Sequence, residues 1–362
     1  MKEVPHVRML QPDTKGFRQA EQHIAFERDT PTSLNTLQAS FGKQQPLQAV
    51  VFVDGYAVPK STTYRNVYIG WAPRDSNHIL QTQLEIDDSM QTNHPLLLLH
   101  LATQDQCRMN ALVELTVPGN SRLQLLECHA SGLNPSYFCR NTLKIQLQPH
   151  SQLHHVRLLH NSREGQYKLN TQVHQQSNSS YCLHEISLSG TWRSSRTHVH
   201  LEQPNAQCHL QALDVGQRQQ CSYHQMTVHH KAPHCSSRQL HKGLYTGQAR
   251  GIFEGQTVVN KQAVHTKAHQ LSRSVLLSEH AQAYSQPQLQ IETDEVQCGH
   301  GATVSQLDEK ALFYLQSRGI ERHRAQQMLT EAFTQEVLQT IKPVWLRIWL
   351  QQRMQNTINA LT

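Results

Sequence analysis

The stretch Ala111–Leu126 reads ALVELTVPGNSRLQLL, and one repeat later Thr142–Leu159 reads TLKIQLQPHSQLHHVRLL. In the first, Val113, Leu115 and Val117 alternate with polar residues, Pro118-Gly119-Asn120 breaks the run, and Leu123 and Leu125 resume it. In the second, Leu143, Ile145 and Leu147 lead into Pro149-His150-Ser151, then Leu153, Val156 and Leu158. Apolar residues at period two mark strands with one buried face, and Pro, Gly, Asn and Ser between the runs mark turns. Further turns fall at Ser177-Asn178-Ser179, Pro204-Asn205-Ala206, Ala232-Pro233-His234 and Asn260-Lys261-Gln262, a spacing of about 27 to 31 residues. Strand-only units at a fixed period are the signature of a solenoid, in which each coil buries a face that it could not bury alone. No helix-period segment separates the strands, which disfavours a doubly wound α/β fold. Antiparallel hairpins of a β-sandwich would give the same alternation, so that architecture stays open on pattern alone.

Toward the C-terminus the period changes. Ser305 with Asp308 forms a variant of the capping box, and Leu307, Ala311, Leu312 and Leu315 make an apolar stripe. Gly319 suits the left-handed position after a helix. A second helix carries Ala325, Met328, Leu329, Ala332, Phe333, Val337 and Ile341 on one side and ends at Pro343. A third amphipathic segment, Val344 to Leu361, holds Trp345 and Trp349, whose default role is core packing. Toward the N-terminus organisation weakens, with a short helix expected over Lys15–Phe26 and a polar, turn-forming run from Arg28 to Gln45. The expected division is an irregular or partly helical segment over 1–50, a β-helix core over 51–304 and a helical domain over 305–362.

The chain of 362 residues has ample surface to bury a core in one or two domains. Its formal charge of +6 comes without a Lys/Arg cluster, which speaks against a nucleic-acid role. Eight cysteines stand singly at 107, 128, 139, 182, 208, 221, 235 and 298, with no CxxC pair. Nothing at the start reads as a signal peptide, and the apolar runs Pro95–Leu99 and Trp345–Leu350 are too short to span a bilayer. The expectation is a soluble cytoplasmic protein with reduced thiols. Histidine is abundant at 25 residues, and His154-His155, His198-x-His200 and His229-His230 read as polar filler of strand positions. His198 and His200 share a strand face, which permits adventitious nickel or zinc binding. No GxSxG, Walker A loop, GxGxxG after a strand, HExxH or zinc-ribbon spacing is present, so no enzyme chemistry is indicated. Asp294-Glu295 and Asp308-Glu309 are sequence neighbours; strand neighbours face opposite ways, so neither pair makes a dyad.

One short stretch carries candidate chemistry: Ile291–Ile320, IETDEVQCGHGATVSQLDEKALFYLQSRGI. Cys298 and His300 stand two apart, so on a strand their thiolate and imidazole project from one face, and Gly299 and Gly301 strip bulk from the backbone between and after them. Such a pair could hold a soft metal or cluster but cannot complete a tetrahedral shell. On residues alone, a small buried thiol and a turn histidine is the plainer reading; the remaining seven cysteines read as strand core.

These residues also resemble a known family, the SufB/SufD scaffolds of iron–sulfur cluster assembly. The resemblance rests on Asp294–Val304 (DEVQCGHGATV), Gln306–Glu309 (QLDE), Phe313–Ile320 (FYLQSRGI), Ser237–Lys242 (SRQLHK) and Phe52–Pro59 (FVDGYAVP). It is dense from about Ser237 to Ile341 and thinner back to Phe52. The SufB side of the family would carry a Cys-Glu-His-Glu version; Gly299 and Gly301 here favour the SufD side. The longer helical N-terminal region and Trp-Lys-Tyr-Thr-like motif usual there find no equivalent. The resemblance implies a mainly β fold, a right-handed parallel β-helix with a short N-terminal segment and a C-terminal helical domain. It implies a non-enzymatic scaffold without a stably bound cofactor, paired with a SufB-like paralogue. Cys298 and His300 would then be ligands of a cluster shared at that interface, reached through the edge strand Leu289–Val296. A SufC-like ABC ATPase would dock on the helices through Leu312, Phe313, Leu315, Arg318, Met328, Leu329, Phe333 and Val337. Two other classes compete, a carbohydrate-active β-helix enzyme and a stand-alone histidine-rich metal-binding protein. Sparse charge between Leu112 and Arg250 weighs against the former.

Overall fold

A computed structural model describes residues 48–53, 56–57, 67–72, 80–86, 95–102, 105–131, 136–160 and 164–361. The expected helix at Lys15–Phe26 and the polar run Arg28–Gln45 lie outside the described residues. Strands β1 (Gln48–Val53), β2 (Tyr56–Ala57), β3 (Val67–Ala72), β4 (Leu80–Ile86), β5 (Leu96–Ala102) and β6 (Cys107–Val117) come first. They are followed by β7 (Arg122–Ser131), β8 (Tyr137–Leu147), β9 (Gln152–Leu159), β10 (Gly165–Gln175), β11 (Ser180–Ser187) and β12 (Trp192–Leu201). The remaining strands are β13 (Gln207–Gly216), β14 (Cys221–His230), β15 (Ser236–Tyr245), β16 (Arg250–Val259), β17 (Thr266–Leu276), β18 (Gln282–Ile291) and β19 (Val296–Ser305). Three helices end the chain, α1 (Glu309–Ser317), α2 (Arg322–Leu338) and α3 (Val344–Leu361).

Alternate strands fall in alternate sheets: a 10-stranded sheet ordered β19-β17-β15-β13-β11-β9-β7-β5-β1-β2 and a 9-stranded sheet ordered β18-β16-β14-β12-β10-β8-β6-β4-β3. From β5 onward every pairing is parallel and joins a strand to the one two places along the chain, which is a parallel β-solenoid. The sandwich alternative is thereby removed. At the N-terminal end the rule changes, because β2 pairs with β1, and β3 with β4, in antiparallel register. The first parallel pairings, β1 with β5 and β4 with β6, join strands of this reversed end to the coil.

The corner that follows β6 and its equivalents explains the period. Asn120, His150, Asn178, Asn205, His234 and His265 all adopt positive φ between 56° and 63°. Asparagine tolerates this left-handed backbone best among residues with a side chain, and the three histidines are the next most tolerant. Each of these N–H groups donates to a carbonyl of the following coil, from Asn120 to Pro149 O and on to His265 to Glu295 O, so the corners stack as a ladder. At the last corner the left-handed residue is His265, beyond the expected Asn260–Gln262, because that turn is longer.

The two sheets bury their faces differently. Strand β6 alternates strictly, one face inside the coil and the other toward solvent. Strands β7, β9, β13 and β15 alternate for their first residues and are then buried continuously. The second buried face belongs to the helices: Leu126, Val156, Leu158, Ile186, Leu213 and Leu240 cluster with Val337, Leu338, Ile341, Leu346, Leu350, Met354 and Ile358. Trp345 and Trp349 pack against the same cluster, as expected of them. The helix starts also differ in detail from the expected pattern. Ser305 is the last residue of β19, and Asp308 caps α1 by accepting from Lys310 N at 2.8 Å. Gly319 at φ 84°, with Ile320 N donating to Leu315 O and Gly319 N to Gln316 O, closes α1 in a Schellman motif. Helix α2 stops at Leu338, so Pro343 instead stands just before α3.

Candidate functional site

Parallel register carries each inward position straight up the coil, which fixes where Cys298 and His300 point. Cys298 pairs with Ala268 and His300 with Gln270, both buried inward-facing residues of β17. The two therefore share one side of β19, as their spacing requires. Among the described residues no further coil covers them. Inward positions of β18 and β19 that would be sealed elsewhere are half-buried or exposed, and Tyr284, Ile291 and Val304 are exposed apolar residues of these strands. Cys298 is half-buried and His300 exposed; burial pushes the Cys298 thiol up, opposed by a backbone hydrogen bond near Ala268. Among the described residues no third Cys, His, Asp or Glu completes a close ligand group with them.

The two terminal edges differ. Strand β18 carries Pro287, which has no N–H to offer a further strand. Strand β19 has no proline, and its glycines are not demanded by packing. A Cβ on Gly299 would meet His269 Nδ1 at 3.9 Å, and one on Gly301 would meet Leu271 Cδ1 at 3.4 Å, both ordinary contacts.

The expected partner residues on the helices separate into three groups, buried, exposed and half-buried. Leu312 and Val337 are 1% and 0% exposed and belong to the chain's own core. Phe313 and Tyr314 stand 72% and 58% exposed, and the Arg318 guanidinium lies 5.4 Å from the centre of the Tyr314 ring. Leu315, Met328, Leu329 and Phe333 are half-buried, with Lys242 Nζ 4.4 Å from the centre of the Phe333 ring.

The largest feature that the sequence did not disclose is an ion network sealed inside the middle coils. Glu127, Arg157 and Glu185 are stacked register partners on β7, β9 and β11. Arg157 Nε donates to Glu127 at 2.8 Å and Nη1 to Glu185 at 3.2 Å, while Nη2 donates to Thr171 Oγ1 at 2.6 Å. His129 and His155 bond the other sides of Glu127 at 2.8 and 3.0 Å. Further along, Arg193 pairs with Asp214 at 2.9 Å, and Ser222 and Tyr245 hydroxyls donate to the same carboxylate. Burial alone would raise Glu127, yet Arg157 and the two histidines hold it well below the usual carboxylate range. Burial likewise opposes charge on His224, but Asp214 and Glu185, each at 3.7 Å, raise it above the ordinary imidazole value. Three carboxylates face two guanidiniums, and His224 lies beside two of the carboxylates. Period-two counting would have found these groups, since Glu127, Arg157 and Glu185 sit two residues on from inward Leu125, His155 and Leu183.

The fold is a parallel β-solenoid flanked by C-terminal helices, with Cys298 and His300 on its last strand. Residues 100–333 match the family model described as SUF system FeS cluster assembly, SufBD core domain, and the chain belongs to that family. It is 32% identical over 216 residues to an iron–sulfur cluster assembly SufBD family protein of Synechocystis sp., covering 60% of this chain and 48% of that one. It is 24% identical over 270 residues to iron–sulfur cluster assembly protein SufD of Escherichia coli, covering 74% and 64%. It is 35% identical over 212 residues to protein ABCI7, chloroplastic, of Arabidopsis thaliana, covering 56% and 43%. The chain thus spans 43% to 64% of the length of these relatives. Among the described residues no helix is long and apolar enough to cross a membrane.

Proposed function

We propose that this chain is a non-enzymatic scaffold subunit of a SufBCD-type complex, pairing with a SufB-like paralogue through its terminal coil and presenting Cys298 and His300 to the cluster being assembled. The observation that carries this is the uncovered last coil. Both sheets end there in open parallel edges, which invite strand addition, and the ligand pair lies on the same strand as the bare backbone of Gly299 and Gly301. A thiolate and an imidazole fall two short of a closed shell, so the remaining ligands would come from the facing subunit. The cluster is cargo, and a mixed Cys/His shell suits a group that must be handed on. The exposed Phe313 and Tyr314 of α1 and Arg318 at its C-cap offer an apolar and cationic surface for a SufC-like ATPase, which would supply the nucleotide chemistry.

A carbohydrate-active enzyme would need carboxylates on an open face of successive coils. Glu127, Glu185 and Asp214 are 0%, 1% and 0% exposed, inside the coil where no polymer reaches. The test is co-purification with SufB- and SufC-like proteins of the same source, then anaerobic reconstitution of the complex. The complex should assemble, and Cys298→Ala/His300→Ala should lower iron and acid-labile sulfide per complex while leaving assembly intact. Undiminished cluster content in that double variant would remove the ligand role. Cross-links mapping the SufB contact to the first hundred residues would remove the edge role.

A further inference from the structure

We propose that His154, Cys182 and His184 form a second metal site on the outer face of the 10-stranded sheet, taking a zinc-like divalent cation in a tetrahedral N₂S environment. Cys182 on β11 is the register partner of His154 on β9, and His184 stands two residues on, on the same face. Their ligand atoms all lie within 4.8 Å of one another. Tetrahedral zinc, with bonds of about 2.0–2.3 Å, needs ligand atoms under about 4 Å apart. Cys182 Sγ and His184 Nδ1 are already at 3.8 Å, so closure falls mainly to rotation of the His154 side chain.

The surroundings orient the group. His184 Nε2 lies 2.8 Å from Thr340 Oγ1, whose own hydrogen has acceptors in Val337 O and Gln211 Oε1. Gln211 Nε2 also lies 3.2 Å from His184 Nε2, so ligation through Nδ1 would place the imidazole N–H on Nε2 toward Thr340 Oγ1 and turn the Gln211 amide to present its oxygen. A ligand histidine held through its second nitrogen by a neighbouring oxygen is the usual arrangement at metal sites. Both nitrogens of His154 are buried without any hydrogen-bond partner, a state that a bound cation would relieve. Burial pulls His154 down to about 4 and His184 to about 3. Burial pushes the Cys182 thiol up to about 11, opposed by Lys342. Binding thus breaks the Cys182 S–H bond, forms a metal–sulfur bond and releases one proton to solvent. His209, the register partner of Cys182 on β13, or a water would take the fourth position.

The other close group, His100, Glu127 and His129, is already committed, since Glu127 bonds Arg157, His129, His155 and Asn141. The outer site differs in that neither nitrogen of His154 has a hydrogen-bond partner.

Cobalt(II) alone, titrated into the full chain carrying Cys298→Ala/His300→Ala, tests the proposal without reference to cluster assembly. The expected result is one tightly bound ion with tetrahedral visible bands and a thiolate-to-cobalt charge-transfer band. Cys182→Ser, nearly isosteric, should abolish the charge-transfer band, and His154→Ala should weaken binding on the order of ten- to a hundred-fold. Cys221→Ser should change neither. Charge transfer that survives in Cys182→Ser, or no tetrahedral spectrum in the parent, overturns the site. Should Cys182→Ser fail to fold by circular dichroism, His154→Gln carries the same decision through its binding curve.

Discussion

Cys208 and Cys298 occupy the same register column of one sheet, as do His155 and His300, yet each pair lives in a different solvent. The first column runs Tyr181, Cys208, Ser237, Ala268, Cys298, and the second His155, Leu183, Leu210, Gln239, Gln270, His300. In the middle coils Cys208 is 0% exposed with its thiol held well above the usual range, and His155 is 0% exposed between Glu127 and Tyr181. At the last coil no further turn of chain covers the same positions, and His300 is exposed. Identical backbone geometry thus seals these groups in one place and leaves them accessible in another. Position along the solenoid decides the role, because burial sets whether a polar group must find its partner within the chain.

That contrast is broken most severely from the inside. Arg157→Met would leave Glu127 and Glu185 buried without their guanidinium, at an expected cost of about 3–5 kcal/mol in urea unfolding. A loss below about 1 kcal/mol would mean that the network is not what holds these coils together.

Acid should sharpen the contrast. Burial pulls His100 and His241 to about 3, and His230 to about 4. Their depressed values mean that the folded chain binds fewer protons than the unfolded one below about pH 6.5. Their contribution is therefore full above that pH and is lost progressively toward pH 3–4. His224, with a raised value, runs the other way, contributing below pH 6.5 and losing its contribution as pH rises. His154, His160 and His184, which burial lowers to about 4, 4 and 3, add to the same side, so the lowered histidines outweigh His224 and stability should fall between pH 6.5 and 5.5, measurable by denaturant midpoints. Below about pH 4.5 the depressed carboxyls Glu127 and Asp214 add to the loss, since theirs is stability present only above the unfolded carboxylate range. A flat profile from pH 7.5 to 5.5 would contradict the sealed interior.

Thiols divide the same way. Cys235, 1% exposed with Sγ 3.4 Å from Gln203 O, should cost about 1–2 kcal/mol as Cys235→Ala with no specific cluster defect. The double change at Cys298 and His300 should cost under about 1 kcal/mol while lowering cluster content in the reconstituted complex. Equal stability losses at both places would erase the distinction between middle and end. The smallest effect is expected at the helix surface. Phe313→Ala should shift stability by less than about 0.5 kcal/mol, yet weaken capture of a SufC-like partner in pull-down.

Much of this architecture was legible from the chain. Leu143, Ile145 and Leu147, followed by Pro149-His150, announce strand and corner because side-chain alternation and left-handed turns are local properties of the backbone. The shared face of Cys298 and His300 follows from spacing alone, and the helical tail from its change of period. Local pattern could not say which polar residues face inward against which others. Glu127, Arg157 and Glu185 are 28 to 30 residues apart, and only stacking in register makes them one network. The antiparallel reversal at β2 and β3, the burial of Leu312 and Val337, and the meeting of His154, Cys182 and His184 beneath Thr340 were likewise decided in three dimensions. The sequence determined the coil because strands and turns are written residue by residue. The tertiary structure determined the chemistry, because charge, burial and ligand geometry depend on neighbours that lie a full coil away.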